Sequence, residues 1–123
     1  MTIQVHGKTI ETDNEGYLLN PQDWTEEIGL EMVKQHEAEG HRKVTETGWM
    51  LIKFFHDFYE EHMRHPNMNE LIRQHQKLEH KTFEQENDYK QNLYEMFPHG
   101  PIRKLAKLAG LPKTAIAEEV SGG

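Results

Sequence analysis

The chain has 123 residues, a formal net charge of −7 and no cysteine, so it is one domain in size and can do no thiol, disulfide or persulfide chemistry. No apolar run approaches the roughly 20 residues that span a bilayer, and the start lacks the pattern of a secretory signal. We therefore expect a cytoplasmic protein without membrane contact. The charge is uneven, because residues 100–113 carry basic side chains and no acid, whereas residues 1–99 hold ten Lys or Arg against nineteen Asp or Glu.

The N-terminal segment is typical of a small β-hairpin. Ile3 and Val5 alternate with polar residues, His6-Gly7 can form a turn, and residues 9–12 can return as a second strand. A second cluster of turn-forming residues follows at 13–16.

Helical patterns occupy the rest of the chain. Asn20-Pro21 predicts the start of a first helix, because it places a capping side chain before a proline at the first helical position. Apolar residues then recur four apart, and Gly40 is the predicted stop; the stripe is Trp24, Ile28 and Met32. A second helix over residues 46–63 has an apolar face wide enough to pack on two sides, and His65-Pro66 is its predicted end.

Three further helices are predicted. Asn67 to Glu70 resembles a capping box that opens the third helix, the polar stretch 79–88 is predicted to be a loop, and Pro98 closes a fourth helix. The fifth helix follows Gly100-Pro101 and is capped by Gly110; its apolar positions are Ile102, Leu105, Ala106 and Ala109.

The predicted fold is therefore mainly α (α+β), with a small N-terminal hairpin, about five helices and a helix-turn-helix-like part within the third to fifth helices. We expect a single domain over residues 1–113 and a flexible C-terminal arm over 114–123.

No constellation of residues indicates an enzyme or a metal site. The pairs His36/His41, His62/His65 and His75/His80 have no third ligand at a suitable spacing, so we interpret the histidines as solvated side chains on polar faces. His56 and Glu60 are four apart but lie off the main apolar face of their helix. There is no glycine-rich phosphate loop and no nucleophile motif, so no cofactor is predicted.

The fifth helix carries a basic face formed by Arg103, Lys104 and Lys107. Three interpretations stay open for this face: a merely solvated surface, contacts with an acidic protein, and contacts with the phosphates of DNA. The sequence pI of about 5.7 is far below the values typical of DNA-binding domains, which disfavours the third interpretation.

The C-terminal third resembles the signature of the DsrC/TusE family of sulfur-relay proteins, which includes the gamma subunit of dissimilatory sulfite reductase. The resemblance lies in Asn92-Leu93-Tyr94, in Met96-Phe97-Pro98 and in the segment from Gly100-Pro101 to Ala109-Gly110-Leu111-Pro112-Lys113. Residues 13–18 with Trp24, and residues 48–61 with Pro66, resemble the family's N-terminal turn and long central helix.

The resemblance implies a sulfur-carrying arm that this chain does not have. In the family, a terminal cysteine on a flexible arm and a second cysteine upstream hold persulfide sulfur, because a thiolate attacks sulfane sulfur and is a good leaving group. These positions correspond to Ala106 and Ala117. The proline and glycine that usually precede the terminal cysteine are also missing, and the arm has become acidic through Glu118 and Glu119.

The leading hypothesis from the sequence is a non-catalytic DsrC/TusE-like protein that binds or regulates sulfite reductase or sulfur-relay partners. Cysteine-free members of this family are thought to regulate sulfur metabolism. The candidate partner-binding residues are Arg103, Lys104, Lys107, Pro112 and Lys113. One alternative is a DNA-binding transcriptional regulator that uses the basic helix. The other is a sulfur carrier whose cysteines were replaced in the sample.

Overall fold

A computed structural model describes residues 2–79 and 86–113, with the side chain of residue 86 left aside. The mainly α fold, with its N-terminal hairpin and five helices, is confirmed. The strands are β1 (Thr2–Val5) and β2 (Lys8–Glu11), and the helices are α1 (Glu26–Ala38), α2 (Glu46–His62), α3 (Met68–Glu79), α4 (Glu86–Met96) and α5 (Pro101–Leu108). The expected C-terminal arm at 114–123 lies outside the described residues.

The N-terminal hairpin forms as predicted. β1 and β2 pair antiparallel, with Ile3 opposite Ile10, and the connecting residues His6 and Gly7 both have positive φ angles, of 50° and 79°. Two positive φ angles match the tight turn whose twist suits a two-residue hairpin. Ile3 is buried and the hairpin packs on α1, so this small sheet covers one side of the helical body.

The first helix begins later than the sequence indicates. The Asn20 side chain accepts a hydrogen bond from the backbone N–H of Gln22, but it caps only a single 3-10 turn over Pro21–Asp23. Trp24 is extended (ψ 133°), and Thr25 then caps α1 by accepting from the N–H of Ile28. The prediction of one continuous helix from Pro21 was therefore wrong, because the chain contains two successive capping residues. The predicted stop near Gly40 is confirmed.

The central helix α2 matches its prediction closely. Thr45 caps it by accepting from the N–H of Gly48, and Met63 ends it in the left-handed conformation, with φ 56°. Three residues, Met63 to His65, therefore separate the helix from Pro66. Its buried side chains are Leu51, Ile52 and Phe55, and α2 packs against both α3 and α5.

The third helix opens with a reciprocal capping box. The Asn67 side chain accepts from the N–H of Glu70, and the Glu70 carboxylate accepts from the N–H of Asn67, both at 2.9 Å. The predicted loop was too long, because α3 includes Glu79 and α4 already begins at Glu86. An acidic first turn suits a helix N-terminus, so polarity alone does not indicate a loop there.

The hydrophobic core lies where all five helices meet, and α5 is at its centre. This helix contacts α1, α2 and α4, and five of its eight residues are buried: Pro101, Ile102, Leu105, Ala106 and Leu108. Within the two described ranges, no helix combines the length and the apolar character needed to cross a bilayer.

Candidate partner-binding site

The three basic residues of the fifth helix share the only face that α5 leaves open. Arg103, Lys104 and Lys107 are each partly exposed, whereas the rest of the helix is directed into the core. The apolar spacing explains this arrangement, because residues at i, i+3 and i+4 fall on one side of a helix. The sequence prediction of a basic face on α5 is therefore confirmed as geometry; its role in binding stays a prediction.

The two lysines of this face have no close carboxylate partner among the described residues. Within the part of the chain that the structure describes, no carboxylate approaches Lys104 or Lys107 within 4 Å. Partial burial lowers the pKa of Lys104, the charges of Lys107 and Arg103 lower it further, and the nearby Glu39 raises it. The lysines thus repel one another, so a partner that brings negative charge gains more here than at isolated lysines.

The end of α5 is locked by a Schellman motif. The N–H of Leu111 donates to the carbonyl of Ala106 at 2.9 Å, and the N–H of Gly110 donates to that of Lys107 at 3.1 Å. Gly110 has φ +76°, and a Cβ at this position would lie 2.6 Å from the Trp24 ring. Glycine is therefore required both for the backbone conformation and for the close approach of Trp24.

Trp24 fixes this end of α5 to the start of the molecule. Its Nε1 donates a buried 2.9 Å hydrogen bond to the carbonyl of Leu108. Its ring stacks on His56 at a centroid distance of 4.3 Å, and His56 Nδ1 donates to the carbonyl of Ala109. Two of the orphan carbonyls at the helix end are satisfied in this way, which holds α5 and its basic face in a fixed orientation.

Pro112 and Lys113 are held against the body and do not join the open basic face. His65 Nε2 donates to the carbonyl of Pro112 at 2.7 Å, and Lys113 Nζ forms an exposed ion pair with Glu15 at 2.7 Å. The charge of Lys113 is thus already matched. These two residues set the path of the chain after α5. Their proposed role is to support the basic face and not to form part of it.

The turn at residues 13–16 lies beside Lys107, which the sequence did not indicate. A Cβ on Gly16 would lie 3.0 Å from Cε of Lys107, and the turn is held by Asp13, whose carboxylate accepts from the N–H groups of Glu15 and Tyr17. A cavity of about 100 Å³ separates the turn from the helices; its lining includes Met32, Gln35, His36, Glu39 and Leu108.

Ala106, which the sequence resemblance predicts to stand at the family's upstream cysteine position, is completely buried in the core. Its methyl group lies on the inner side of α5, opposite the basic face. Ala117, which the resemblance predicts to stand at the terminal cysteine position, lies outside the described residues. The alanine at 106 therefore fills a packed position and presents no reactive atom.

The interpretation of the histidines as solvated side chains was wrong for His36 and His75. Their exposed fractions are 6% and 0%, and burial lowers the pKa of both imidazoles, that of His36 to about 4. The sequence spacing could have indicated that His36 is buried, because it lies four residues after Met32 and so continues the apolar stripe of Ile28 and Met32. His75 Nε2 bonds to the Asn92 side chain at 2.9 Å. In the portion of the chain covered by the structure, no three His, Asp or Glu residues are arranged to hold a metal.

Comparison with known proteins agrees with the resemblance seen in the sequence. The sulfurtransferase TusE of Photorhabdus laumondii subsp. laumondii is 39% identical over 107 residues, covering 87% of this chain and 89% of that protein. The sulfurtransferase TusE of Escherichia coli is 36% identical over 107 residues, covering 87% and 91%.

Solved structures give the same result. The oxidized gamma subunit of the dissimilatory sulfite reductase (DsrC) from Archaeoglobus fulgidus has a TM-score of 0.75 at 27% identity, covering 94% of this chain and 98% of that one. DsrC of Allochromatium vinosum has a TM-score of 0.70 at 35% identity, covering 94% and 96%. The family model described as DsrC like protein matches residues 4–116. This chain therefore belongs to the DsrC-like family.

Proposed function

We propose that this chain is a non-catalytic member of the DsrC-like family that docks onto a sulfite reductase or a sulfur-relay protein without carrying sulfur. One observation carries the proposal: the family model matches residues 4–116, yet the chain contains no cysteine. A thiolate is the nucleophile in sulfur transfer, and no other side chain replaces it in that role. Recognition is then the property that the scaffold retains.

The proposed contact surface is the basic face of Arg103, Lys104 and Lys107, with Pro112 and Lys113 supporting the chain beside it. Two observations support this choice. The two lysines have no carboxylate partner within the described ranges, and the helix is held rigidly at its end by Trp24. A rigid surface loses little conformational entropy on binding, which favours its use as a recognition element.

DNA binding is disfavoured as an alternative. A recognition helix enters the major groove with one broad side free, whereas five of the eight residues of α5 are buried against three other helices. The net charge of −7 would also repel DNA at long range. The relatives named above are sulfurtransferases and sulfite reductase subunits, which gives this alternative no support.

Binding is tested by capture of purified sulfite reductase and of sulfur-relay proteins on the immobilised full chain. We expect a complex that R103E/K104E/K107E weakens at least about tenfold, because all three changes place negative charge on the contact surface. The matched control is K34E/R73E/K77E, which makes the same change in net charge at exposed residues of α1 and α3. Equal binding by both triple variants would exclude the basic face as the contact surface.

Sulfur carriage is tested separately by mass spectrometry. The chain is incubated with a cysteine desulfurase and its substrate, or with a persulfide donor, and its mass is then measured. We expect no addition of a sulfur atom, whereas a cysteine-bearing TusE treated in parallel gains one. A transferable sulfur atom on this chain would refute the non-carrier proposal. Comparison of the sequence with its gene decides whether alanine is native at 106 and 117.

A further inference from the structure

Lys104 has unusual surroundings for a lysine of this chain. It lies between Arg103 and Lys107 on the open face of α5, and its side chain is only partly exposed. Among the described residues no carboxylate approaches its ammonium group within 4 Å, whereas Lys53 and Lys113 pair with glutamates at 3.5 Å and 2.7 Å. Lys104 is therefore a partly buried amine among cations.

These surroundings favour the uncharged form of the Lys104 amine. Burial lowers the pKa of Lys104 most, the charge of Lys107 lowers it further, Glu39 raises it, and Arg103 lowers it. At a given pH, Lys104 therefore holds a larger fraction of free amine than an exposed, isolated lysine does. A lysine that is desolvated or lies beside another cation is activated as a nucleophile for this reason.

The neighbouring cations also attract one particular class of acyl donor. An acyl phosphate carries negative charge on its phosphate group, and its reactive carbonyl carbon is bonded to that group through one oxygen. Lys107 follows Lys104 by three positions, which places the two Cβ atoms about 5 to 6 Å apart on one helix face. The ammonium of Lys107 can therefore bind the phosphate while the amine of Lys104 reaches the carbonyl carbon, so the donor is held in position for attack.

We propose that Lys104 is a site of acylation by acyl phosphates, and that Lys107 binds and positions the phosphate group of the donor. The neutral Lys104 amine attacks the carbonyl carbon and forms an amide bond. The bond from that carbon to the bridging oxygen breaks, and the phosphate leaves with the electron pair and takes up the proton of the attacking amine. The product side chain is uncharged, so the open face of α5 loses the positive charge of Lys104.

Competitive labelling measures the proposed reactivity within a single sample. The full chain is incubated with acetyl phosphate at pH 7.5, and peptide mass spectrometry follows the acetylation of each lysine with time. We expect Lys104 to react at least about threefold faster than Lys34, an exposed lysine of α1 that serves as the internal standard. An equal or slower reaction at Lys104 would overturn the inference.

Two single variants test whether the surroundings of Lys104 cause its reactivity. K107Q removes the phosphate contact and a charge that favours the free amine, so the Lys104 rate should fall to about that of Lys34. E39Q removes the charge that holds the proton on Lys104, so the rate should rise about twofold. The matched control K77Q, at an exposed position of α3, should leave the rate unchanged. Equal rates in all three variants would mean that exposure alone decides the reaction, which contradicts the inference.

A neutral acyl donor separates the two effects of the cations. The acetyl ester of N-hydroxysuccinimide has no phosphate group, so Lys104 should keep only the part of its advantage over Lys34 that comes from its larger fraction of free amine. Acetyl phosphate at 0.5 M NaCl should show a similarly reduced preference, because salt screens the attraction of the donor. The same preference with both donors would refute the proposed role of Lys107.

Labelling of the isolated chain does not depend on the proposed docking function, whereas the effect of acylation on docking rests on it. K104Q, which mimics the uncharged product, should weaken capture of a sulfur-pathway protein about threefold, and K34Q should not. Preferential labelling without any captured partner would support the acylation site and contradict the proposed function. Capture that R103E/K104E/K107E weakens, without preferential labelling of Lys104, would support docking and overturn the acylation site.

Discussion

Replacement of His36 should remove much of the sensitivity of the fold to mild acid. Burial and the nearby positive charges lower the pKa of His36 from its ordinary value of 6.5 to about 4. Between pH 6.5 and pH 4 the His36 imidazole binds a proton in the unfolded chain but not in the folded chain. Acidification over this range therefore favours unfolding. The contribution of His36 to stability is complete above pH 6.5 and is lost as the pH falls towards 4.

The size of the effect follows from the two pKa values. Proton linkage with a pKa of about 4 in the folded chain and 6.5 in the unfolded chain gives a loss of about 2 kcal/mol between pH 7 and pH 5. His75, whose pKa burial also lowers, adds to the loss in the parent chain. The variant H36F keeps a ring against His41 and carries no titrating proton, so its loss over the same range should be about 2 kcal/mol smaller.

Urea unfolding followed by circular dichroism at 222 nm measures this difference at pH 7, 6 and 5. Circular dichroism is chosen over tryptophan fluorescence because it follows the loss of helix throughout the molecule, whereas the emission of Trp24 also depends on its local contact with the His56 ring. The control variant is H6Q, at an exposed position, and H36L provides a second core substitution if the larger ring of phenylalanine disturbs the packing. An unchanged dependence on pH in both H36F and H36L would refute the reasoning.

Three further predictions concern the end of α5. G110A should lower the free energy of unfolding by about 2 to 4 kcal/mol, because the new Cβ would lie 2.6 Å from Trp24 on a backbone with positive φ. The control G40A also has positive φ, but its Cβ would meet open space, so it should lower the free energy of unfolding by about 1 kcal/mol. Equal losses for the two variants in urea unfolding would contradict the packing argument. W24F should cost about 2 kcal/mol in thermal unfolding, because a buried carbonyl of α5 loses its donor, and an unchanged midpoint would mean that water replaces it. A cysteine introduced as A106C should react with iodoacetamide on the order of 100-fold more slowly than one introduced as A38C, because position 106 is buried; similar rates would show that α5 opens readily.

Local signals in the sequence predicted most of the elements correctly. The capping box at Asn67, the wide apolar face of α2 and the glycine stop of α5 each depend on residues within a few positions of one another. Their physical causes are local, so the sequence displays them directly. A local signal also explains the one helix start that was predicted too early. Asn20 does act as an N-cap, but it caps the short 3-10 turn before α1 and not α1 itself.

The candidate site was only partly predictable. The three cations of α5 are visible as a helical face, but their relation to the 13–16 turn and to the stacked rings of His36 and His41 depends on contacts between distant parts of the chain. The His41 ring also meets the edge of His99, 58 positions away in the sequence numbering, and no local pattern connects the two. The spacing of His36 from Ile28 and Met32 predicts that its side chain is buried, whereas the polarity of the imidazole favoured an exposed position.

The bond from Trp24 to Leu108 has a consequence for biosynthesis. It joins residues 84 positions apart, and closing a segment of that length costs about 4 kcal/mol of chain entropy before any contact forms. While a ribosome is still adding residues before 108, Trp24 has no acceptor and α5 is absent from the centre of the core. Completion of the native packing must therefore wait until α5 has emerged from the ribosome, and a nascent chain truncated before α5 should remain protease-sensitive.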